Sequence, residues 1–385
     1  MLNQKENRKL QAKSRFIRFL VLIVILGIST LLGILHQVLL TRPPVGVDAL
    51  CPFGALESAY TLIATKTMLN KIATSSFLLL ISTLLVAIFF RRVFCGLICP
   101  FGTLQELFGR IGKKIFRKKI LIPKQIDRFL RYWKYLGLGL IVFFSAYTGT
   151  LVQRPYDPWV TYHHLSSSDL FSEFNIGFLI LLFSLVGSLL YDRFFCKYLC
   201  PMGAFLALIN KLSFFRIERN ESTCIKCRAC DRICPVNIEV SKEKIVHSPE
   251  CINCNECVTI CPVPDTLLIT NRKKTRFFSP LAVLGITVLL FFIVISITSL
   301  TGNFQWTVQS LTEQVKIKGD FDPNLITGRM TFMEVSAASG IPKEIFLNEF
   351  RISEEDLSIP FKDLKNKYPF ETENVREFLK QFIEK

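Results

Sequence analysis

The chain has 385 residues, half of them hydrophobic and 35 of them phenylalanine, with a formal net charge of +16. A soluble core of this size does not need so much apolar side chain, so composition excludes an ordinary soluble globular protein and points to a membrane. The positive charge carries no nucleic-acid signal, because it is not gathered on a soluble domain with aromatic or helix-turn-helix context, and no nucleic-acid partner is expected.

Residues 1–18 read as a basic cytoplasmic tail with Lys5, Arg8, Lys9, Lys13, Arg15 and Arg18. Apolar runs near the roughly 20 residues that a spanning helix needs follow at 19–40, 72–90, 135–152, 176–191 and 277–300. Basic residues in short loops stay inside. The tail and the ten basic residues from Arg110 to Lys134 are therefore expected in the cytoplasm, and the sparsely basic segments 41–71 and 153–175 outside. The fifth run, which follows a basic stretch, then carries residues 302–385 outwards. The first run is too long for a cleaved signal and no small-x-small site follows it.

On the outer side, His36 lies near the end of the first run, where it suits either a quinone headgroup or helix packing. Cys51 opens a Cys-Pro-x-Gly elbow in "LCPFGALESAY" and reads either as a structural cysteine or as an outer redox site. His163 and His164 are expected to be solvated loop residues and His247 a surface residue, so no pair within neighbouring spans offers a bis-histidine haem site.

Two stretches, "FCGLIC-PFG" and "FCKYLC-PMG", carry Cys95 and Cys99, and Cys196 and Cys200, each pair 101 residues from its counterpart. Each follows an outside-to-inside run, so residues 19–134 and 135–217 read as tandem membrane repeats. After each elbow comes a helix-spaced apolar segment, with Leu104, Leu107, Phe108, Ile111 and Ile115 in the first and Phe205, Leu208, Ile209 and Leu212 in the second. Such segments suit helices lying on the inner leaflet. If the repeats pack side by side, four thiols converge. They could then hold a third [4Fe-4S] cluster or a soft metal ion, or stay reduced as structural or redox thiols.

Residues 218–271 carry the strongest signal: Cys224, Cys227, Cys230 and Cys234, then Cys251, Cys254, Cys257 and Cys261, twice in the spacing C-x2-C-x2-C-x3-C-P. This is the bacterial two-cluster ferredoxin pattern, in which the fourth cysteine serves the other cluster. Cys224, Cys227, Cys230 and Cys261 are thus expected to bind one [4Fe-4S] cluster, and Cys251, Cys254, Cys257 and Cys234 the other. Residues 302–385 contain no cysteine, eleven basic and fourteen acidic residues. A capping-box pattern, Thr331 with Glu334, opens a helix there that breaks at Gly340 and Pro342 before a second helical run through Ile345 and Phe350.

The two elbow motifs together with the paired ferredoxin motif resemble the polyferredoxin-type membrane proteins that include NapH, NosR and CcoG. The resemblance covers roughly residues 16–300. It implies membrane-bound electron transfer between a cytoplasmic donor or the quinone pool and a redox partner in or outside the membrane, as a ferredoxin:quinone or quinol oxidoreductase component. The bilayer core is about 30 Å thick and no cofactor within it is legible, so either a quinone such as menaquinone carries the charge across it, the preferred route, or a centre near Cys51 completes a wire. The alternative implied by the resemblance is a maturation or regulatory factor that uses its clusters to reduce a metal or a thiol. The expected fold is mostly α: a polytopic bundle of about five transmembrane helices in tandem two-helix repeats, with an inserted cytoplasmic ferredoxin-like α+β module. A fifth transmembrane helix at 277–300 then leads to a small helical C-terminal domain at 302–385.

Overall fold

The computed structural model describes residues 4–39, 44, 46, 51–65, 74–117, 122–165, 167, 170, 174–271, 277–306, 311–312, 315, 321–326, 328, 330–364 and 367–383. It divides into two compact units, Met1–Leu39 with Pro43–Trp306 and Leu40–Arg42 with Thr307–Lys385. Parts of the segments used above for orientation, including 118–121 and 272–276, lie outside the described residues.

The first unit begins with helices α1 (Gln4–Val38), α2 (Pro52–Thr65), α3 (Thr74–Phe90), α4 (Val93–Leu97), α5 (Pro100–Phe116) and α6 (Lys124–Thr148). It continues through α7 (Pro158–His163), α8 (Asn175–Leu190), α9 (Phe194–Tyr198), α10 (Pro201–Ile209) and strand β1 (Phe215–Arg219). Helices α11 (Ala229–Ile233) and α12 (Glu256–Ile260), strands β2 (Leu267–Asn271) and β3 (Phe277–Phe278), and helix α13 (Pro280–Leu300) complete it. Lysine, arginine and glutamine are good helix formers, so α1 runs without a break through the boundary drawn between the basic tail and the first apolar run.

A helix coincides with each of the five apolar runs, but among the described residues two are long and apolar enough to cross a membrane, Arg8–Val38 and Pro280–Leu300. Helices α3 and α8 are apolar yet have 17 and 16 residues, which at about 1.5 Å per residue falls short of a bilayer core. Helix α6 gains its length from a charged first half.

The elbows follow from cysteine and proline chemistry. Pro100 and Pro201 sit at the first position of α5 and α10, where a missing N–H is harmless and the fixed φ suits a helix start. Each preceding cysteine caps the helix: Gly102 N–H donates to Cys99 Sγ at 3.4 Å and Gly203 N–H to Cys200 Sγ at 3.3 Å. The start of α5's apolar side is covered, with Phe101 and Leu104 buried where the helix packs on α8 and α1, while Ile111 and Ile115 further along stay exposed.

In the insert, β1 pairs antiparallel with β2 in the register Ile217↔Ile269, and β3 extends the sheet on the far side of β2. The alternation of the strands buries Ile217, Leu267 and Ile269 against the cysteine loops.

The second unit has its own core, with Phe332, Val335, Phe346, Phe361, Val375 and Leu379 buried. Phe332 lies among Phe346, Phe361 and Phe370, at ring-centroid separations of 5.5, 4.6 and 5.6 Å. The capping box forms, Glu334 N–H donating to Thr331 Oγ1 at 3.2 Å and Thr331 N–H to Glu334 Oε2 at 3.0 Å. The helix Phe332–Ser339 ends at Gly340, whose φ of 74° needs glycine, and the next spans Lys343–Phe350.

Candidate metal centres

Cys224, Cys227, Cys230 and Cys261 line one small cavity. Burial, then the charges of Cys227 and Cys224, push the Cys261 thiol up, as expected of sulfurs that share a site. Cys257 is pushed up likewise by burial and then by Cys254, Cys251, Cys234 and Cys230, so the last cysteine of the first motif stands near the first three of the second. The loops curl because Lys226, Arg228, Asn253 and Asn255 adopt φ of 55°, 56°, 48° and 61°. Asparagine tolerates that left-handed region, whereas lysine and arginine occupy it at a cost of roughly 1 kcal/mol each. The first quartet reaches the surface through Cys227. In the second, Cys234, Cys251, Cys254 and Cys257 are all buried.

At the elbows, Cys95 and Cys196 are buried and Cys99 and Cys200 half-buried. Burial, followed by the charges of Cys196 and Cys95, pushes Cys99 up, and the same two neighbours act on Cys200. The two repeats therefore gather their thiols in one place. Gln105, fully buried, donates from Nε2 to Cys196 Sγ at 3.2 Å, while its Oε1 accepts from the Phe195 N–H at 3.0 Å and the Ser188 hydroxyl at 3.3 Å. Sequence reasoning missed this residue, because the position 101 further on is Leu206 and the repeat does not announce it. Arg92 and Arg193 are fully buried beside the same thiols.

Among the described residues no group of three or more His, Cys, Asp or Glu side chains could hold a single metal ion. All three quartets are sulfur donors, the set that a [4Fe-4S] cubane takes. Thiols raised by burial and mutual repulsion are relieved when a cationic iron core ionises and ligates them. The donor sets therefore fit cubanes.

The insert docks tightly on the first elbow. A Cβ at Gly96 would lie 2.3 Å from the Ile252 carbonyl oxygen and 3.2 Å from the Cys254 nitrogen. Asn253 Nδ2 donates to the Phe90 carbonyl at 2.9 Å, and Arg91 donates to the carbonyls of Val246 and Ser248. Arg18 joins α1 to both parts, pairing with Glu256 and Glu106 at 2.8 Å each and donating to the Gly96 carbonyl at 3.1 Å. Glu250 of the insert pairs with Lys134 at 2.5 Å and with Arg92 at 3.1 Å.

His36 and Cys51 do not join these groups. His36 Nδ1 lies 2.5 Å from the Pro44 carbonyl oxygen. The Cys51 thiol is pushed up to about 12 by burial and then by Asp157 and Glu57. His163 and His164 are buried, 7% and 4% exposed, which corrects the expectation of solvated loop residues. Pro158 starts a helix here, α7, which folds back on α8. His163 then packs edge-on against Trp159 at 4.5 Å, and His164 stacks on Phe174 at 4.5 Å. Trp159 in turn lies 6.0 Å from Phe101, two residues after Cys99.

A family model described as a 4Fe-4S binding domain matches residues 72–119 and again 176–220, once per elbow. A 4Fe-4S dicluster domain matches residues 216–262. The chain is 30% identical over 234 residues to a putative electron transport protein, YccM, of Escherichia coli, covering 60% of this chain and 65% of that protein. It is 27% identical over 158 residues to the ferredoxin-type protein NapH of Escherichia coli, covering 40% of this chain and 51% of that one. Against the regulatory protein NosR of Pseudomonas aeruginosa it is 30% identical over 149 residues, covering 38% of this chain and 20% of NosR. The chain thus spans less than two thirds of the length of these relatives, and no solved structure matches it. With its cysteine motifs and these relatives, the chain belongs to the NapH/NosR-like polyferredoxin family.

Proposed function

We propose that the protein is a membrane-bound iron–sulfur electron carrier with three [4Fe-4S] sites, held by the two ferredoxin quartets and by Cys95, Cys99, Cys196 and Cys200. Bound cubanes supply reversible one-electron chemistry. The observation that carries the reading is the docking of the Cys251–Cys257 loop on Gly96, between Cys95 and Cys99, which joins the buried ferredoxin quartet to the elbow quartet through direct backbone contact. The exposed Cys227 makes the other quartet the natural face for a soluble redox partner. The chain's own work is to fix these loops, bury seven of the twelve thiols away from water, and leave one quartet accessible.

In this reading the five apolar helices cross the inner membrane, which thins around the short α3 and α8, with the N-terminus and the insert in the cytoplasm and the second unit outside. Electrons pass between a cytoplasmic donor or the quinone pool, menaquinone included, and a redox partner in or beyond the membrane. His36 and Cys51 mark its outer end. The elbow site is tested by iron and acid-labile sulfide counts on anaerobically purified protein. Changing Cys95 and Cys196 together to serine is expected to lower the count from about twelve irons to about eight; an unchanged count refutes it. Exchange of electrons with menaquinol analogues in proteoliposomes tests the quinone connection, and its absence refutes that part alone.

A further inference from the structure

The geometry points to Arg92 and Arg193 as the built-in counter-charges of the elbow quartet, each supplied by one repeat to the cysteine elbow of the other, so that they set the reduction potential there. The inference rests on the proposed cluster at Cys95, Cys99, Cys196 and Cys200.

Each arginine precedes the first cysteine of its motif by three residues, and the two are 101 residues apart, as the cysteines are. They are 1% and 0% exposed, among the largest fully buried side chains of the protein. Their placement is reciprocal. A Cβ at Gly203, three residues after Cys200, would lie 2.7 Å from Arg92 Nη2; a Cβ at Gly102, three residues after Cys99, would lie 2.8 Å from Arg193 Nη1. The elbow glycines thus leave room for the opposite repeat's guanidinium. Arg193 also donates to the Cys95 carbonyl. Each guanidinium is anchored on its far side by one carboxylate, Arg92 by Glu250 at 3.1 Å and Arg193 by Glu106 at 2.8 Å. In both, the buried Nε–H has no hydrogen-bond acceptor. Buried N–H groups are seldom left so, and a sulfur-rich anion at the quartet supplies the acceptors.

The charges also balance. Arg92 and Lys134 share the carboxylate of Glu250, while Arg193, Arg18 and Arg110 share those of Glu106 and Glu256. The Arg92 network therefore holds one cation in excess, and the Arg193 network one when the half-exposed Arg110 is counted. A cubane on four thiolates carries about −2 when oxidised and about −3 when reduced, a charge that a water-poor site cannot hold uncompensated. Two fixed positive charges favour uptake of the extra electron.

The test is a redox titration of the full chain with dithionite, followed by EPR, on Arg92→Gln and Arg193→Gln beside Cys95→Ser/Cys196→Ser. With about twelve irons retained, each Gln variant is expected to shift one of three midpoints about tenfold against reduction, ~59 mV for one electron. Lysine at either position should restore most of it. Unshifted midpoints with full iron overturn the inference. Loss of iron in the Gln variants but not in the Lys variants supports it; loss in both overturns it, because shape and not charge is then what the site needs. If the cysteine double variant keeps all its iron, the proposed cluster itself fails, a result distinct from an intact cluster with unmoved midpoints.

Discussion

Gly96 faces the Ile252 carbonyl oxygen so closely that a Cβ would come within 2.3 Å of it. The neighbour is backbone of a cysteine loop and cannot rotate away, so the insert itself must move. Gly96→Ala is expected to lower stability by about 1–3 kcal/mol and to make the insert more sensitive to limited proteolysis. Gly285 in α13 has open space around its Cβ position, and Gly285→Ala should instead raise stability by about 0.5–1 kcal/mol. Thermal unfolding in detergent, with iron counted afterwards, checks both signs.

Glu250 holds two buried cations, Lys134 and Arg92. Glu250→Gln leaves both facing a neutral amide, and breaking a buried pair from one side costs about 3–5 kcal/mol. We expect the insert to detach from the elbow before the helices melt. Hydrogen exchange should show this first in 246–257. Equal protection in variant and wild type would contradict it.

Glu57, 2% exposed, accepts from the Ser145 hydroxyl at 2.6 Å, and burial pushes its carboxyl up to about 7. Because the folded value lies above the ordinary one near 4.5, the folded state binds the proton more tightly. Its contribution to stability is complete below about pH 4.5 and is lost as pH rises through about 7, a change of about 3 kcal/mol. Melting temperature should therefore fall between pH 5 and 8 in the wild type, and Glu57→Gln should remove most of that slope.

Phe332 is fully buried at the centre of the second unit. Phe332→Ala is expected to cost that unit about 3–5 kcal/mol while leaving the iron content of the chain unchanged, since no cysteine lies in residues 302–385. Near-ultraviolet circular dichroism and iron analysis on one sample separate the two effects.

What could be read from the sequence is what short-range rules govern. Cysteine spacing fixes which thiols a loop can bring around a cubane, and a cysteine before proline ends one helix and caps the next. The capping box at Thr331 and Glu334 and the break at Gly340 formed where local hydrogen bonding demands them. The 101-residue recurrence announced two elbows. Apolar runs gave five helices, but not which of them reach across a bilayer, since among the described residues length and charge leave two that do so by that test.

Tertiary structure decided the rest. Gln105 reaches Cys196 across 91 residues, and each arginine serves the elbow that its own repeat does not carry. His163 and His164 are buried because α7 folds back, although loop sequence alone reads as solvated. Burial and charge at these positions depend on which backbone segments meet, and a meeting between distant segments leaves no periodic or local trace in the chain.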